Sequence, residues 1–358
     1  MPAQNPEIRL IVRILAIIGA VLILIAIGAY IFLKVKAPHL LAFSKNIEEH
    51  RITVALDTLE GARFITGMTG CENLVLSEKG FSLYVSCLDG NLHYLNGTGT
   101  QDLAVLKSVK PGNQVMGLAF GRDGMLYAAI GRGKAEEWMT TGGSVFRFAK
   151  SLDFFERLTE DYPAINGVAC DSSGNIYFAS SNFNFFNPQG WVYRLAAMPD
   201  QPVAVPELVL HDAGVSNGLY YDKNQDKIFY SNTVVGVYEF SPEHPELKEV
   251  YLKLRFMEAC DDLCTDISGN VWMTDPGYST VKMFNPGTNR LVRFNIMGVG
   301  QTSSCRVRTE NGVEMLYVTE LKTAQKPMSK VFDGRGVLVV PTRSLIRLLE
   351  PILLNEPQ

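Results

Sequence analysis

The apolar stretch ILAIIGAVLILIAIGAYIFL, from Ile14 to Leu33, carries no charged residue, whereas beyond residue 50 apolar positions come in short bursts punctuated by Gly, Asn and Asp. At about 1.5 Å per residue the first stretch matches a hydrocarbon core of about 30 Å, so it predicts a membrane-spanning helix. It outruns the apolar core of a secretory signal, roughly 7–15 residues, and no clear A-x-A site follows it, which favours an uncleaved anchor. Arg9 and Arg13 on one flank are matched by Lys34 and Lys36 on the other, so the positive-inside bias gives no orientation. The short tail before the helix favours a single-pass protein whose main domain is on the non-cytosolic side.

The later bursts repeat. A turn followed by an apolar and aromatic pair recurs as SEKGFSLYVS, GRDGMLYAAI, DSSGNIYFAS, DKNQDKIFYSN, DISGNVWMTD and TENGVEMLYVTE. Their aromatic residues, Tyr84, Tyr127, Tyr177, Phe229, Trp272 and Tyr317, are separated by 43, 50, 52, 43 and 45 positions. That period fits one four-stranded blade, and runs such as GSVFRFA, GWVYRLA and VVGVYEFS supply further strands. The sequence therefore predicts an all-β fold, a six-bladed β-propeller with an N-terminal transmembrane helix. Its plan is a tail at 1–13, an anchor at 14–33, a linker at 34–49, one propeller at 50–350 and a C-terminal tail at 351–358. The segment RITVALDTLEGARFI is expected to add a strand to the last blade and close the ring.

Composition narrows the classes. With 47% apolar residues and 10% aromatics the chain of 358 residues can bury a large core, and a formal charge of −4 lacks the basic excess of a nucleic-acid binder. Six scattered cysteines are too sparse for a disulfide scaffold, and Cys260 and Cys264 have neither a second close pair nor a neighbouring His for zinc. Most are expected to be buried thiols. Nothing in the sequence sets the oligomeric state.

Because the units are equivalent, residues at one offset should meet around the ring. Eleven or twelve positions before each aromatic stand Glu72, Met116, Asn166, Asn217, Asp261 and Cys305. Innermost propeller strands line a channel, so their first residues converge on one mouth. Four of the six carry carboxylate or amide oxygen, the donor set of a hard divalent ion such as calcium.

The stretches GCENLVL, AINGVACDSSGNIYF, VSNGLYYDKNQDKIFYSN and CDDLCTDISGNVW resemble the calcium-site blades of the SMP-30/gluconolactonase, regucalcin, paraoxonase and strictosidine-synthase-like superfamily. The likeness implies that Glu72, Asn166, Asn217 and Asp261 hold one catalytic calcium, with Asp262 a further ligand or a supporting group. Two departures stand out. Where paraoxonases have GSED this chain has GCEN, so Asn73 replaces an acid that helps hold their second calcium. Met116 stands where paraoxonases begin a histidine dyad, and the five histidines form no close metal pattern.

The expected activity is calcium-dependent hydrolysis of a small-molecule lactone or ester, with the ion polarising the carbonyl and Asp261 or Glu72 orienting or deprotonating water. No GxSxG elbow is present to support a serine hydrolase. Loop aromatics Trp138, Phe183, Phe185 and Phe186 can wall an acyl pocket or simply pack on the blades. The rival reading is a non-catalytic, membrane-tethered propeller that binds a ligand or acts as a scaffold, since one fold hosts unrelated functions.

Overall fold

The computed structural model describes residues 6–36, 44, 47–77, 80–98, 102–133, 142–184, 186–197, 205–255, 258–324 and 331–350. A helix runs over Pro6–Lys36, and its segment Ile14–Val35, with a mean hydropathy of 2.9, is long and apolar enough to cross a membrane. Beyond the helix the chain folds into a six-bladed β-propeller.

Six sheets are arranged around a common axis. Their innermost strands are Cys71–Leu76, Gln114–Phe120, Ile165–Cys170, Ser216–Asp222, Leu263–Thr265 and Gln301–Glu310, each hydrogen-bonded to the next strand of its own blade. Neighbouring innermost strands touch one another around the ring. The repeated aromatic lies on the second strand of each blade, and all six are buried.

The spacing of acid and aromatic explains the repeat. Burying a Tyr or Trp leaves a polar tip that needs a partner. An acid at the tight turn provides one: Tyr127 donates to Asp123 at 2.8 Å, Tyr177 to Asp171 at 3.1 Å, Trp272 to Asp266 at 2.9 Å, and Tyr317 to Glu310. Asp171 and Asp266 also accept backbone N–H groups within their turns, an Asx arrangement that fixes the hairpin. Phe229 has no polar tip, and Asp222 in its blade accepts from Thr265 of the next blade at 2.9 Å instead.

The segment expected to supply one closing strand supplies two strands to different blades. Glu48–Ala55 runs parallel to Arg290–Met297 as a fifth strand on the fifth blade. Only Arg63–Ile65 joins the sixth blade, antiparallel to Gly336–Pro341. Thus the last blade combines the beginning and the end of the propeller sequence, and this pairing closes the ring.

A bulge interrupts five of the innermost strands near their first residues, between Cys71 and Asn73, Val115 and Leu118, Ile165 and Val168, Ser216 and Leu219, and Thr302 and Cys305. Bulges take backbone groups out of the ladder, and hydroxyls on the second strands pick these up. Ser86 Oγ accepts from Asn73 N at 3.0 Å and donates to Met116 O of the next blade at 2.6 Å. Ser231 likewise links Gly218 N to Asp261 O, at 2.8 and 2.6 Å. Thr274 links Asp262 N, at 3.2 Å, to Ser303 O at 2.5 Å, and Thr319 links Ser304 N to Glu72 O at 2.7 and 3.2 Å.

Elsewhere the blades approach through glycine. A Cβ on Gly117 would meet Asn166 O at 2.6 Å, and one on Gly167 would collide with Asn217 O. Gly167→Ala is therefore expected to destabilise the propeller by about 1–3 kcal/mol, the usual cost of overpacking, read as a lower denaturation midpoint. An unchanged midpoint would contradict this close backbone contact.

Candidate metal centre at one mouth of the channel

Hydrogen bonds join Glu72, Asn217 and Asp261 at one mouth, and Asn166 stands on the equivalent bulge of the third blade. Glu72, Asn166 and Asn217 are buried on their innermost strands, and Asp261 is buried just before Leu263–Thr265. Asn217 Nδ2 donates to Asp261 Oδ1 and, at 3.2 Å, to Thr233 Oγ1. The carbonyls of Asp261 and Glu72 are held by Ser231 and Thr319, so the backbone beneath both acids is fixed from a neighbouring blade.

The sixth blade contributes a residue that the repeat offset missed. Ser303 Oγ lies 2.8 Å from Glu72 Oε2 and 2.7 Å from Asp261 Oδ2. Cys305, which the offset selects, is instead in the core with its sulfur 3.8 Å from that of Cys264. Both Ser303 and Ser304 fall inside the bulge between Thr302 and Cys305, so counting back from Tyr317 stops short of the mouth. A serine pair just before the expected position was the available signal. Met116 packs in the core between the second and third blades.

Charge at the mouth is unbalanced. A hydroxyl has one proton, so Ser303 can donate to only one acid, and the other contact requires a proton on a carboxyl. Burial pushes Glu72 up to about 7, with repulsion from Asp262 adding to it and the Ser303 bond opposing it. Burial and the neighbouring Glu72 charge drive Asp261 well above the usual carboxylate range. Buried acids forced together in this way are a place where a cation restores balance. The donor set of two carboxylates and two amides fits a hard ion.

Asp262 is differently placed. Its Oδ2 accepts from Asn73 Nδ2 at 2.9 Å, Ser304 Oγ at 2.5 Å and Arg306 Nη1 at 2.7 Å, while Oδ1 accepts from Leu263 N at 2.8 Å. Both oxygens are thus engaged by protein donors. Expected as a metal ligand or a supporting group, Asp262 forms an ion pair with the buried Arg306 guanidinium.

No histidine among the described residues joins the cluster. His93 bonds Ser108 at 2.7 Å, His50 bonds Glu48, and His211 and His244 are exposed. Phe183 and Phe186 lie on the loop after Ile176–Ser181, with Phe186 exposed, whereas Trp138 and Phe185 lie outside the described residues. All six cysteines are free, and five are buried.

Fold and mouth together define a β-propeller with an acid and amide cluster at one end of its channel. Residues 75–322 match the SMP-30/Gluconolactonase/LRE-like region, and the chain belongs to that family. It is 24% identical over 127 residues to diisopropyl-fluorophosphatase of Loligo vulgaris, a match spanning 34% of this chain and 40% of that relative. Regucalcin, a calcium-binding protein from Agrobacterium tumefaciens, superposes with a TM-score of 0.57 at 13% identity, covering 82% of this chain and 95% of its own. A luciferin-regenerating enzyme superposes with a TM-score of 0.55 at 16% identity, covering 77% and 92%. At these identities the two solved structures show the fold.

The raised Glu72 carboxyl gives metal-free protein a distinct pH dependence. An acid whose folded pKa exceeds its unfolded value binds protons on folding, so its stabilisation is complete below the ordinary value of 4.5 and fades as pH rises through about 7. Chelator-treated protein should melt at progressively lower temperature across that window. Glu72→Gln should flatten the trend, and an equally steep trend in the variant would show that another group causes it.

Proposed function

We propose that this protein is a membrane-anchored, calcium-dependent hydrolase of small lactones or esters. The observation that carries the reading is the buried Glu72 and Asp261 pair joined by Ser303, with Asn166 and Asn217 on equivalent bulges. Calcium bound by Glu72, Asn166, Asn217 and Asp261 would supply Lewis-acid polarisation of a carbonyl oxygen. Asn217 spends its Nδ2 on Asp261 and Thr233, which leaves Oδ1 as its donor to the ion.

The chain's own groups supply the proton handling. Glu72 or Asp261 accepts a proton from the attacking water, and Ser303, within hydrogen-bond reach of both, holds the two carboxyls in register. The flanking hydroxyls Ser231 and Thr319 keep their backbones from shifting as charge moves. The family membership and the partial match to diisopropyl-fluorophosphatase support hydrolysis as the reaction type. The apolar helix supports the anchoring.

Purified full-length protein in detergent should contain one tightly bound calcium by metal analysis. A panel of lactones and aryl esters should show turnover that chelator abolishes and Asp261→Ala reduces by about 100-fold or more, the scale of losing one electrostatic contact to the transition state. Bound calcium without turnover on the panel would instead favour the ligand-binding scaffold. Absence of calcium would refute the assignment of the mouth.

A further inference from the structure

A cavity of about 860 Å³ opens at the other end of the channel from Glu72 and Asp261. Its wall includes Leu76, Phe120, Cys170, Asp222 and Thr265, the last residues of five innermost strands. Five basic residues also line it: Arg122, Lys150, Lys223, Arg306 and Arg308. In a chain of formal charge −4, that is a local reversal of sign.

Three of these cations are available to a ligand. Arg122 donates to Ser172 O at 3.3 Å, Lys150 lies 5.5 Å from the Phe120 ring, and Arg308 lies 5.2 Å from the Phe81 ring and donates to Gly80 O. No carboxylate pairs with these three among the described residues. The lining acids, by contrast, are occupied: Asp171 holds Asn175 and Tyr177, Asp222 holds Asn224, Gln225 and Thr265, and Asp266 holds Ser268, Asn270 and Trp272.

Arg306 gives the cavity a directional feature. It is buried, and its protein hydrogen bonds all use Nη1, to Asp262 at 2.7 Å, Leu263 O at 3.2 Å and Cys305 O at 2.6 Å. Nε and Nη2 have no protein partner among the described residues. Those two N–H groups form the edge of guanidinium that fits two oxygens of a carboxylate or phosphate.

We propose that this second mouth binds a small organic anion, its terminal carboxylate or phosphate on the Nε and Nη2 edge of Arg306 and within the field of Arg122, Lys150 and Arg308. The cavity is of the size that takes such a molecule. The site is separate from the proposed calcium centre, and the proposal does not depend on hydrolytic activity.

Chelator-treated full-length protein in detergent, titrated with inorganic phosphate and separately with succinate, tests it. The expected result is a saturable rise in melting temperature with at least one probe, weakened by added salt because the attraction is screened. The probe that acts identifies the oxyanion. The combined variant Arg122→Gln, Lys150→Gln, Arg308→Gln should bind about tenfold more weakly or worse, as expected when charge-assisted contacts are removed. Glu72→Gln at the opposite mouth should leave the response intact. A response to neither probe, an undiminished response in the triple variant, or a response lost in Glu72→Gln would overturn the proposal.

Discussion

A hydroxyl at the boundary between blades sets how the propeller and its mouth fit together. The first residues of the innermost strands leave buried N–H and C=O groups outside the ladder, and such groups are costly unless paired. Ser86, Ser231, Thr274 and Thr319 satisfy one group in their own blade and one in the next. The carbonyls they grip belong to Met116, Asp261, Ser303 and Glu72. Blade packing and mouth geometry are consequently one constraint. The second and third blades have Ala129 and Ala179 opposite their bulges, and there close approach depends on Gly117 and Gly167.

The same constraint explains what could be read in advance. The places of Glu72, Asn166, Asn217 and Asp261 at the starts of innermost strands were legible because each stands at nearly constant distance from an aromatic whose burial fixes the hairpin. Ser303 was hidden because the longer hairpin of the sixth blade places its bulge further from Tyr317. Asp262 was visible as an acid but not as Arg306's partner, since that pair forms only when adjacent blades close. The fifth strand of the fifth blade was also hidden. Parallel pairing across most of the chain leaves no local turn signal, so RITVA looked like part of the closing strand.

The channel is electrostatically polar along its length. One mouth gathers carboxylates whose burial favours a cation, while the opposite mouth gathers cations around a cavity of about 860 Å³. Arg306 stands between them with one nitrogen committed to Asp262. This pairing neutralises the acid beneath the first mouth without drawing on Glu72 or Asp261, which remain bridged by Ser303.

The shared sixth blade also sets the order in which the molecule can be completed. Arg63–Ile65 leaves the ribosome long before its partner strand Gly336–Pro341. Until then the earlier blades can form only an open crescent, with Thr319 still absent from the carbonyl of Glu72. The mouth is therefore finished by the same late, long-range pairing that shuts the ring, the slowest kind of contact for a chain to find. A nascent chain cut short before Pro341 would carry most of the mouth's side chains without the circle that holds them.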